Sequence, residues 1–414
     1  MQESSKYAVG IDIGTTMVRA VVGHVDPTTG VPTIVGVGQV PNNGMRKGVV
    51  TNLNGPAHAI DTVLGEAERM SGHEVNEATL SVNGSHIMSS KADGMIAVGM
   101  MDHEINEEDI RRIEEVATVG KIPQNREVLE IIPHSYTLDG QTGIKEPLGM
   151  SGSRLEIIAN VVSALTPYVQ NVEKAAEMAT VRPSGIVAAG VAASRAVLKE
   201  AQLESGVAVI DLGGSTTSVT VFEEGDIQYV GVIPVGGVNI TNDLAIGLKT
   251  DPEVAEEVKL KHAVAKARDE NAGVSVKRDG EVLSFEMQDI DEIVEARLEE
   301  LFEEIQKELK KAGRAGQLPS GVVLTGGTAN LKGIAEFARE QLGLAARIGK
   351  SVGFGGVAEN VTRPEFATAV GLMLLDAEGS HAPSKRGAHG APDLKNIAKN
   401  TGGTFRKFLK RFKA

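Results

Sequence analysis

Ile11-Asp12-Ile13-Gly14-Thr15-Thr16, near the start of the chain, has a second copy near its middle, Ile210-Asp211-Leu212-Gly213-Gly214-Ser215-Thr216-Thr217. Each copy closes an apolar run that reads as a buried strand, Tyr7 to Ile13 and Val207 to Leu212. Each then passes through a glycine turn into a second strand, Val18 to Val22 and Ser218 to Phe222. One such turn is ordinary hairpin chemistry. Two copies suggest two related halves clamping one nucleotide. Glycine lets backbone N–H groups approach a phosphate closely, hydroxyls add donors, and an Asp can order the water shell of Mg²⁺.

A third glycine turn supports the pairing. Val322-Val323-Leu324-Thr325-Gly326-Gly327-Thr328-Ala329-Asn330 reads as a buried strand, a tight turn and a helix start, where backbone can lie flat against an adenosine. A plain strand-to-helix loop fits the same residues.

With 414 residues and 41% apolar content, the chain can form two or more cores. Forty-eight Gly, 3% aromatics and no Trp fit an α/β protein with many tight turns and aliphatic cores. The absence of Cys excludes disulfides, thiol catalysis and cysteine metal sites. Met1 to Lys6 has no basic region leading into an apolar stretch, and nowhere do eighteen apolar residues run uninterrupted, so the chain is expected in the cytoplasm. The net charge of −13 is unevenly spread. Residues His381 to Ala414 hold nine Lys or Arg and one acid, Asp393, a charge of +8, whereas the body has 33 basic against 54 acidic residues.

Along the first half, a helix is expected over Pro56 to Met70 and a strand over Ala78 to Val82. Residues 84–164 read as an inserted subdomain: an acidic helix over Asn106 to Val119, then strands over Arg126 to Pro133 and Leu155 to Val162. A helix follows over Pro167 to Ala179. The small-residue run Gly185 to Ser194 reads as a helix able to cross a neighbour closely, with Ala367 to Leu374 as its partner. Further helices are expected over Asp251 to Lys266, with Glu256 and Lys259 on one face, and over Ile290 to Leu309, whose apolar stripe leaves out Arg297. From Asp376 to Gly403 the composition is that of a linker, about 30 Å across as a flexible coil.

The last eleven residues, 404–414, place Phe405, Phe408, Leu409 and Phe412 on one helical face. Arg406, Lys407, Lys410, Arg411 and Lys413 fall on the other. A helix of this length is about 15 Å long, half of what spans a bilayer, so the reading is an amphipathic helix lying on an anionic membrane surface. About 1 kcal/mol per cation, with partial burial of four apolar side chains, gives a weak anchor that holds best when several are linked. The continuous aromatic face argues against a nucleic-acid partner. A partner-binding helix fits the same pattern.

With these features in view, the chain resembles the actin, chaperone and sugar-kinase ATPases and, within them, the FtsA family of bacterial cell-division proteins. The specific part of the likeness is Arg126-Glu127-Val128-Leu129, Ile132-Pro133-His134-Ser135-Tyr136, Asp139 and the run from Gly143-Ile144-Lys145-Glu146-Pro147 to Leu155, together with Gly44-Met45-Arg46-Lys47-Gly48 and Lys259-Leu260-Lys261-His262. The resemblance implies a two-lobed α/β fold of duplicated ribonuclease-H-like domains. The first core subdomain would comprise residues 7–83 and 165–198, with an α+β subdomain inserted at 84–164. The second would comprise 199–240 and 312–375, with a small subdomain at 241–311, a linker at 376–403 and the terminal helix at 404–414. It further implies that Gly14, Thr15, Thr16 and Gly213, Gly214, Ser215, Thr216 hold ATP phosphates, with Asp12 and Asp211 ordering Mg²⁺ through water. Gly236, Gly237, Glu256, Lys259, Gly326, Gly327, Thr328 and Asn330 would approach the sugar and base.

The same likeness implies filaments of the chain itself, other division proteins as partners, and a place on the cytoplasmic face of the membrane at the division site. The tubulin-like FtsZ would dock its C-terminal peptide on the small subdomain, at Arg297 and, as weaker candidates, Lys277 and Arg278. The second turn departs from the Gly-Gly-Gly-Thr frequent in relatives by carrying Ser215, and Ser218 stands where Asp is frequent, so weak or no hydrolysis of ATP is expected. Two alternatives share the nucleotide turns: an adaptor of pilus assembly like PilM, which gives no reason for the terminal helix, and a small-molecule kinase, which needs an Asp general base that does not stand out.

Overall fold

Two sheets with the same strand order carry the molecule. The computed structural model describes residues 6–98, 104–268, 272–278, 280–356 and 359–379. In chain order, β1 (Lys6–Ile13), β2 (Met17–Val25) and β3 (Pro32–Pro41) form an antiparallel meander. A short hairpin of β4 (Met45–Arg46) and β5 (Val49–Val50) leads to α1 (Asn54–Ser71) and β6 (Glu77–Val82).

The insertion comprises β7 (Met88–Ala97), α2 (Glu107–Thr118), β8 (Arg126–Leu138), β9 (Gln141–Ile144) and β10 (Arg154–Leu165). The chain returns through α3 (Thr166–Met178) to β11 (Arg182–Ala188) and α4 (Ala189–Val197). The second half runs α5 (Glu200–Ser205), β12 (Val207–Leu212), β13 (Thr217–Glu223), β14 (Asp226–Ile233), α6 (Gly237–Gly247) and α7 (Pro252–His262). It continues with β15 (Gly273–Arg278), β16 (Glu281–Glu286), α8 (Met287–Lys311), β17 (Val322–Thr325), α9 (Ile334–Leu342), β18 (Ala346–Ile348) and α10 (Ala367–Ala377).

The first sheet is ordered β3-β2-β1-β6-β11 and the second β14-β13-β12-β17-β18. In each, three antiparallel strands are extended by two parallel ones. That equivalence is the structural counterpart of the repeated sequence, and it places both glycine turns at corresponding ends. Strand β12 is buried at every position and reads as an unbroken apolar run apart from Asp211.

Helices α4 and α10 cross between the sheets at a distance set by glycine. A Cβ on Gly371 would lie 1.7 Å from the carbonyl oxygen of Ala192, and one on Gly10 would lie 2.3 Å from that of Ala369. The first core continues across the crossing to Val207, Val209 and Phe222 of the second lobe. The helix expected over Gly185 to Ser194 is corrected: Gly185 to Ala188 belong to β11, paired with β6, and the helix begins at Ala189. Ile186 and Val187 are β-branched and pair with Leu80 and Ser81 of β6, so pairing decides where helix starts. Asp376, read as the first linker residue, lies in α10, where its carboxylate accepts hydrogen bonds from the Val9 N–H (2.9 Å), Thr79 Oγ1 (2.8 Å) and Ser184 Oγ (2.7 Å).

The insertion is a four-stranded sheet, β7-β10-β8-β9, with α2 on one face. Asn106 caps α2, accepting from the Glu108 and Asp109 N–H groups, while Asp109 bonds back to the Asn106 N–H. Strand β8 extends beyond the expected Pro133 because a register shift opposite Ile158 and Ala159 accommodates the missing N–H of proline. The subdomain also reaches the second lobe: Asn160 Nδ2 donates to the Ile227 carbonyl (3.1 Å), and Lys145 Nζ donates to Asp226 (2.8 Å).

Candidate nucleotide-binding site

The two glycine turns close in the same way. Ile13 pairs with Val18 and the Gly14 N–H donates to Met17 O at 3.1 Å, whereas Leu212 pairs with Thr217 and the Gly213 N–H donates to Thr216 O at 2.9 Å. The turns face each other, for a Cβ on Gly214 would lie 2.7 Å from Thr16 Oγ1. Loop residues hold the first turn: Asn42 Nδ2 donates to Gly14 O (2.7 Å), the Asn42 N–H to Thr16 O (2.9 Å), and the Gly48 N–H to Thr15 Oγ1 (3.0 Å). The start of α6 holds the second, through Gly237 N–H to Gly213 O (3.0 Å) and Val238 N–H to Gly214 O (2.7 Å). Ser215 is half-buried on the same turn and Thr216 is buried.

The third turn closes on the second. Thr328 Oγ1 donates to Gly213 O at 3.0 Å. Gly326 has φ +85°, and a Cβ there would lie 2.4 Å from Leu212 O and 2.6 Å from Asp211 Oδ1. Gly327 is exposed with nothing within 4 Å of where its Cβ would be. Residues Gly327–Asn330 form a single 3₁₀ turn, and the α-helix expected there starts later, at Ile334. Lys259 Nζ reaches Gly237 O (3.1 Å), Thr241 Oγ1 (2.8 Å) and Glu256 Oε2 (2.6 Å). Asn330 Nδ2 donates to Gly327 O (3.1 Å) and Glu365 Oε2 (2.8 Å). Gly236, at the N-cap of α6, packs so closely that a Cβ would lie 2.5 Å from Gly213 O. The structure thus gathers the expected residues from both lobes and α6, α7 and the third turn.

Asp12 and Asp211 occupy equivalent places. Each is bonded by a hydroxyl from the adjacent parallel strand, Ser81 Oγ to Asp12 Oδ1 at 2.9 Å and Thr325 Oγ1 to Asp211 Oδ1 at 3.3 Å. Burial, with the Asp12 charge adding to it, pushes the Asp211 carboxyl up to about 7. Burial raises Asp12 as well, opposed by Arg19 and by the Ser81 hydrogen bond. Two facing carboxylates flanked by hydroxyls suit a hard, oxygen-ligated divalent cation held through water. Among the described residues no group of three or more His, Asp or Glu forms an all-protein metal cage. Glycine at Gly14, Gly213, Gly214 and Gly236, where a Cβ would lie 2.5–2.8 Å from protein atoms, lets the turns of both lobes converge with their N–H groups and hydroxyls, which suits the phosphates of a nucleotide.

Sequence reading missed two residues of this site. Arg19 pairs with Asp12 across the β1–β2 hairpin. Counting seven residues around a four-residue turn is enough to find it. Asn83, at the end of β6, donates from Nδ2 to Thr216 Oγ1 (3.2 Å) and accepts from Ser218 Oγ (3.3 Å), bridging the lobes, and nothing local in the sequence signals that contact.

The expected partner residues lie apart from the site. Arg297, on α8, makes a two-point ion pair with Asp243 of α6 and a second pair with Glu300 (2.6 Å), and its side chain is 24% exposed. Lys277 is exposed on β15, and Arg278 beside it pairs with Glu253. The expected terminal helix and its residues Phe405 to Lys413 lie outside the described residues. Among those described, no helix is long and apolar enough to cross a membrane.

Comparison with known proteins bears on this arrangement. Residues 208–371 match the family model described as "Cell division protein FtsA", and residues 84–163 match that described as "SHS2 domain inserted in FTSA". The chain is 37% identical over 376 residues to the cell division protein FtsA of Pseudomonas aeruginosa, covering 90% of this chain and 89% of that one. It is 35% identical to that of Neisseria meningitidis, covering 94% and 95%. Among solved structures, a chain of the PilM-PilN type IV pilus biogenesis complex superposes with TM-score 0.61 at 20% identity, covering 89% of this chain and 98% of that one. MreB5 of Spiroplasma citri bound to ADP superposes with TM-score 0.53 at 13% identity, covering 88% and 94%. These last two establish a shared actin-like fold.

Proposed function

The chain belongs to the FtsA family of cell-division proteins, and from that premise we propose that it binds ATP with Mg²⁺ between its lobes, polymerises, and tethers FtsZ filaments to the cytoplasmic membrane through residues 404–414. The observation that carries the nucleotide part is the pair of equivalent glycine turns facing one another with an Asp behind each. Thr15 and Thr16 from one lobe and Gly214, Ser215 and Thr216 from the other would donate to the phosphates, on turns that the Gly14 and Gly213 N–H groups hold closed. Asp12 and Asp211 would order the water around Mg²⁺, which neutralises phosphate charge when bound. The third turn and the Glu256–Lys259 pair would hold the sugar and base. Hydrolysis is weak or absent in this reading, and the nucleotide serves to set the lobes for assembly.

The +8 charge of residues 381–414 and the apolar face of Phe405, Phe408, Leu409 and Phe412 support a peripheral anchor on the anionic cytoplasmic leaflet at the division site. Linking many chains in a filament multiplies that weak attachment. On the small subdomain, Arg297 would exchange its pair with Asp243 for a carboxylate of the FtsZ C-terminal peptide, with Lys277 and Arg278 beside it. Other division proteins would join the assembled filament.

Sedimentation with anionic liposomes and MgATP, with and without a fluorescent FtsZ C-terminal peptide, tests the proposal. Lipid binding that recruits the peptide and disappears when residues 404–414 are deleted is expected. Unchanged sedimentation of the truncated chain would remove the anchor. Tight nucleotide binding without lipid binding would favour a soluble adaptor like that of pilus assembly.

A further inference from the structure

We infer that the inserted subdomain braces the two lobes: by chain it belongs to the first, yet it is docked on the second through β14, so that the cleft opens to release a nucleotide only as this docking gives way. This rests on the nucleotide reading above, for a nucleotide held by the glycine turns of both lobes leaves only as the turns part. The insertion joins the lobes at a place apart from the crossing of α4 and α10, and rotation about that crossing must strain it.

Strand β14 is an edge of the second sheet, and its outward backbone groups are met by side chains of the insertion instead of by a further strand. The Val230 N–H donates to Ser89 Oγ (2.8 Å), and the same hydroxyl donates to Val230 O (3.3 Å). Asn160 Nδ2 donates to Ile227 O (3.1 Å). At the start of the strand the buried Asp226 accepts from Lys145 Nζ (2.8 Å) and stands 3.8 Å from His134 Nδ1. Strand β14 thus lies across the insertion sheet, against β7, β10 and β8. Ile132 and Val162 of the insertion share one buried core with Ile227 and Val230.

Both attachments of the insertion lead to the cleft. Strand β14 continues to Ile233, which pairs with Thr217 of the second glycine turn, and Thr217 Oγ1 donates to Val235 O just before α6 (2.9 Å). The insertion leaves β6 through Asn83, whose side chain bonds Thr216 and Ser218 of the same turn. His86 fastens its two roots together: Nε2 lies 3.0 Å from Asn83 O, the Leu165 N–H donates to Nδ1 (3.4 Å), and the His86 carbonyl accepts from Arg126 Nη2 (2.5 Å). The subdomain is therefore fixed to the second lobe at the phosphate turn and again on the strand that leads to it. Bonds from side chains to a strand edge can open locally and close again, whereas a full backbone ladder would fuse the subdomain to that lobe.

The chain has no cysteine, so an introduced pair is the only thiol chemistry present. Lys145→Cys with Asp226→Cys, bridged by a short bis-maleimide, locks the docking; unbridged, the same variant has lost its ion pair. Ser89→Ala loosens the docking at its other end. Displacement of a bound fluorescent ATP analogue by excess MgATP gives the release rate. The unbridged pair and Ser89→Ala should release the analogue about fivefold faster than the parent chain, as loss of one hydrogen bond allows, and the bridged chain about fivefold more slowly. Melting curves establish that each variant is folded. Release from the bridged chain at the parent's rate overturns the inference alone, as does an unchanged rate in Ser89→Ala should the cysteine pair not fold. Failure of the parent chain to bind the analogue overturns the nucleotide reading and the inference with it.

Discussion

Adjacent glycines in the third turn should respond to alanine in opposite ways. At Gly326 the backbone has φ +85°, where a side chain costs about 1–2 kcal/mol, and the new Cβ would lie 2.4 Å from Leu212 O and 2.6 Å from Asp211 Oδ1. Neither neighbour yields easily, since Leu212 O is backbone and Asp211 is held by Thr325. Overpacking of this kind costs about 1–3 kcal/mol, so Gly326→Ala should lose about 3 kcal/mol in all. For a lobe of this size that lowers Tm by about 6–12 °C. Gly327→Ala meets nothing within 4 Å and should shift Tm by no more than about 2 °C, because open-surface substitutions change stability by about 0.5 kcal/mol or less. With the third turn against the nucleotide as proposed, the added methyl group should lower nucleotide affinity while the fold is kept. Scanning calorimetry reads the first effect, and titration with a fluorescent ATP analogue reads the second. Equal melting points for the two variants would refute the geometric argument, and unchanged nucleotide affinity of Gly327→Ala would remove the third turn from the site.

Three further outcomes follow from the same geometry. Burial holds His86 down at about 4, against 6.5 for a free imidazole, with the Asn83 carbonyl opposing the shift and Arg126 adding to it. The unfolded chain therefore takes a proton that the folded chain refuses, and stability should fall by about 3 kcal/mol as pH drops from 6.5 to 4; in His86→Phe, urea titrations across that range should show a flatter slope. Gly371→Val would drive a side chain into the Ala192 carbonyl and should cost about 3 kcal/mol or more by overpacking, whereas Gly65→Ala, with nothing within 4 Å in α1, should gain about 1 kcal/mol, both read from thermal melts. Arg297→Glu sets three carboxylates together beside Asp243 and Glu300 and should lower stability by about 1–3 kcal/mol, whereas Lys277→Glu on the exposed strand should change it by less than about 0.5 kcal/mol; urea midpoints distinguish them, and peptide affinity is to be compared only between variants that melt normally.

The glycine turns were legible because everything that forms them is local: an apolar strand, a short turn and a second strand, written twice. The crossing of α4 and α10 was legible because only small residues allow backbones so close, and Gly371 and Ala192 lie where the runs of Ala and Gly stand. Where Gly185 to Ala188 ceased to be strand was not legible, because small residues carry no strong period and pairing with β6 decides it. Asp376 looked like the first residue of a polar linker, yet its three hydrogen-bond donors come from residues far away in sequence, Val9, Thr79 and Ser184. The same distance hid the seat of Arg297, whose partner Asp243 lies on another helix.

Duplication accounts for the chemistry of the site as well as its shape. Two copies of one hairpin, brought face to face, bring two copies of the same Asp together, each with its hydroxyl from the neighbouring parallel strand. Symmetry thereby builds a repulsion into the centre of the cleft, and burial strengthens it by taking water away. The halves then differ at the cross-strand position facing each Asp. In the first, Arg19 faces the carboxylate and offsets its charge; in the second, Ser218 adds none, joins instead to Asn83 of the opposite lobe, and Asp211 is the carboxyl pushed to about 7. One copy thus supplies charge and the other a tie between lobes. A metal-bound nucleotide arriving in the cleft would relieve both carboxyls, and because Asn83 ties the Asp211 lobe to the first, charge balance and lobe position would be coupled through the same few side chains.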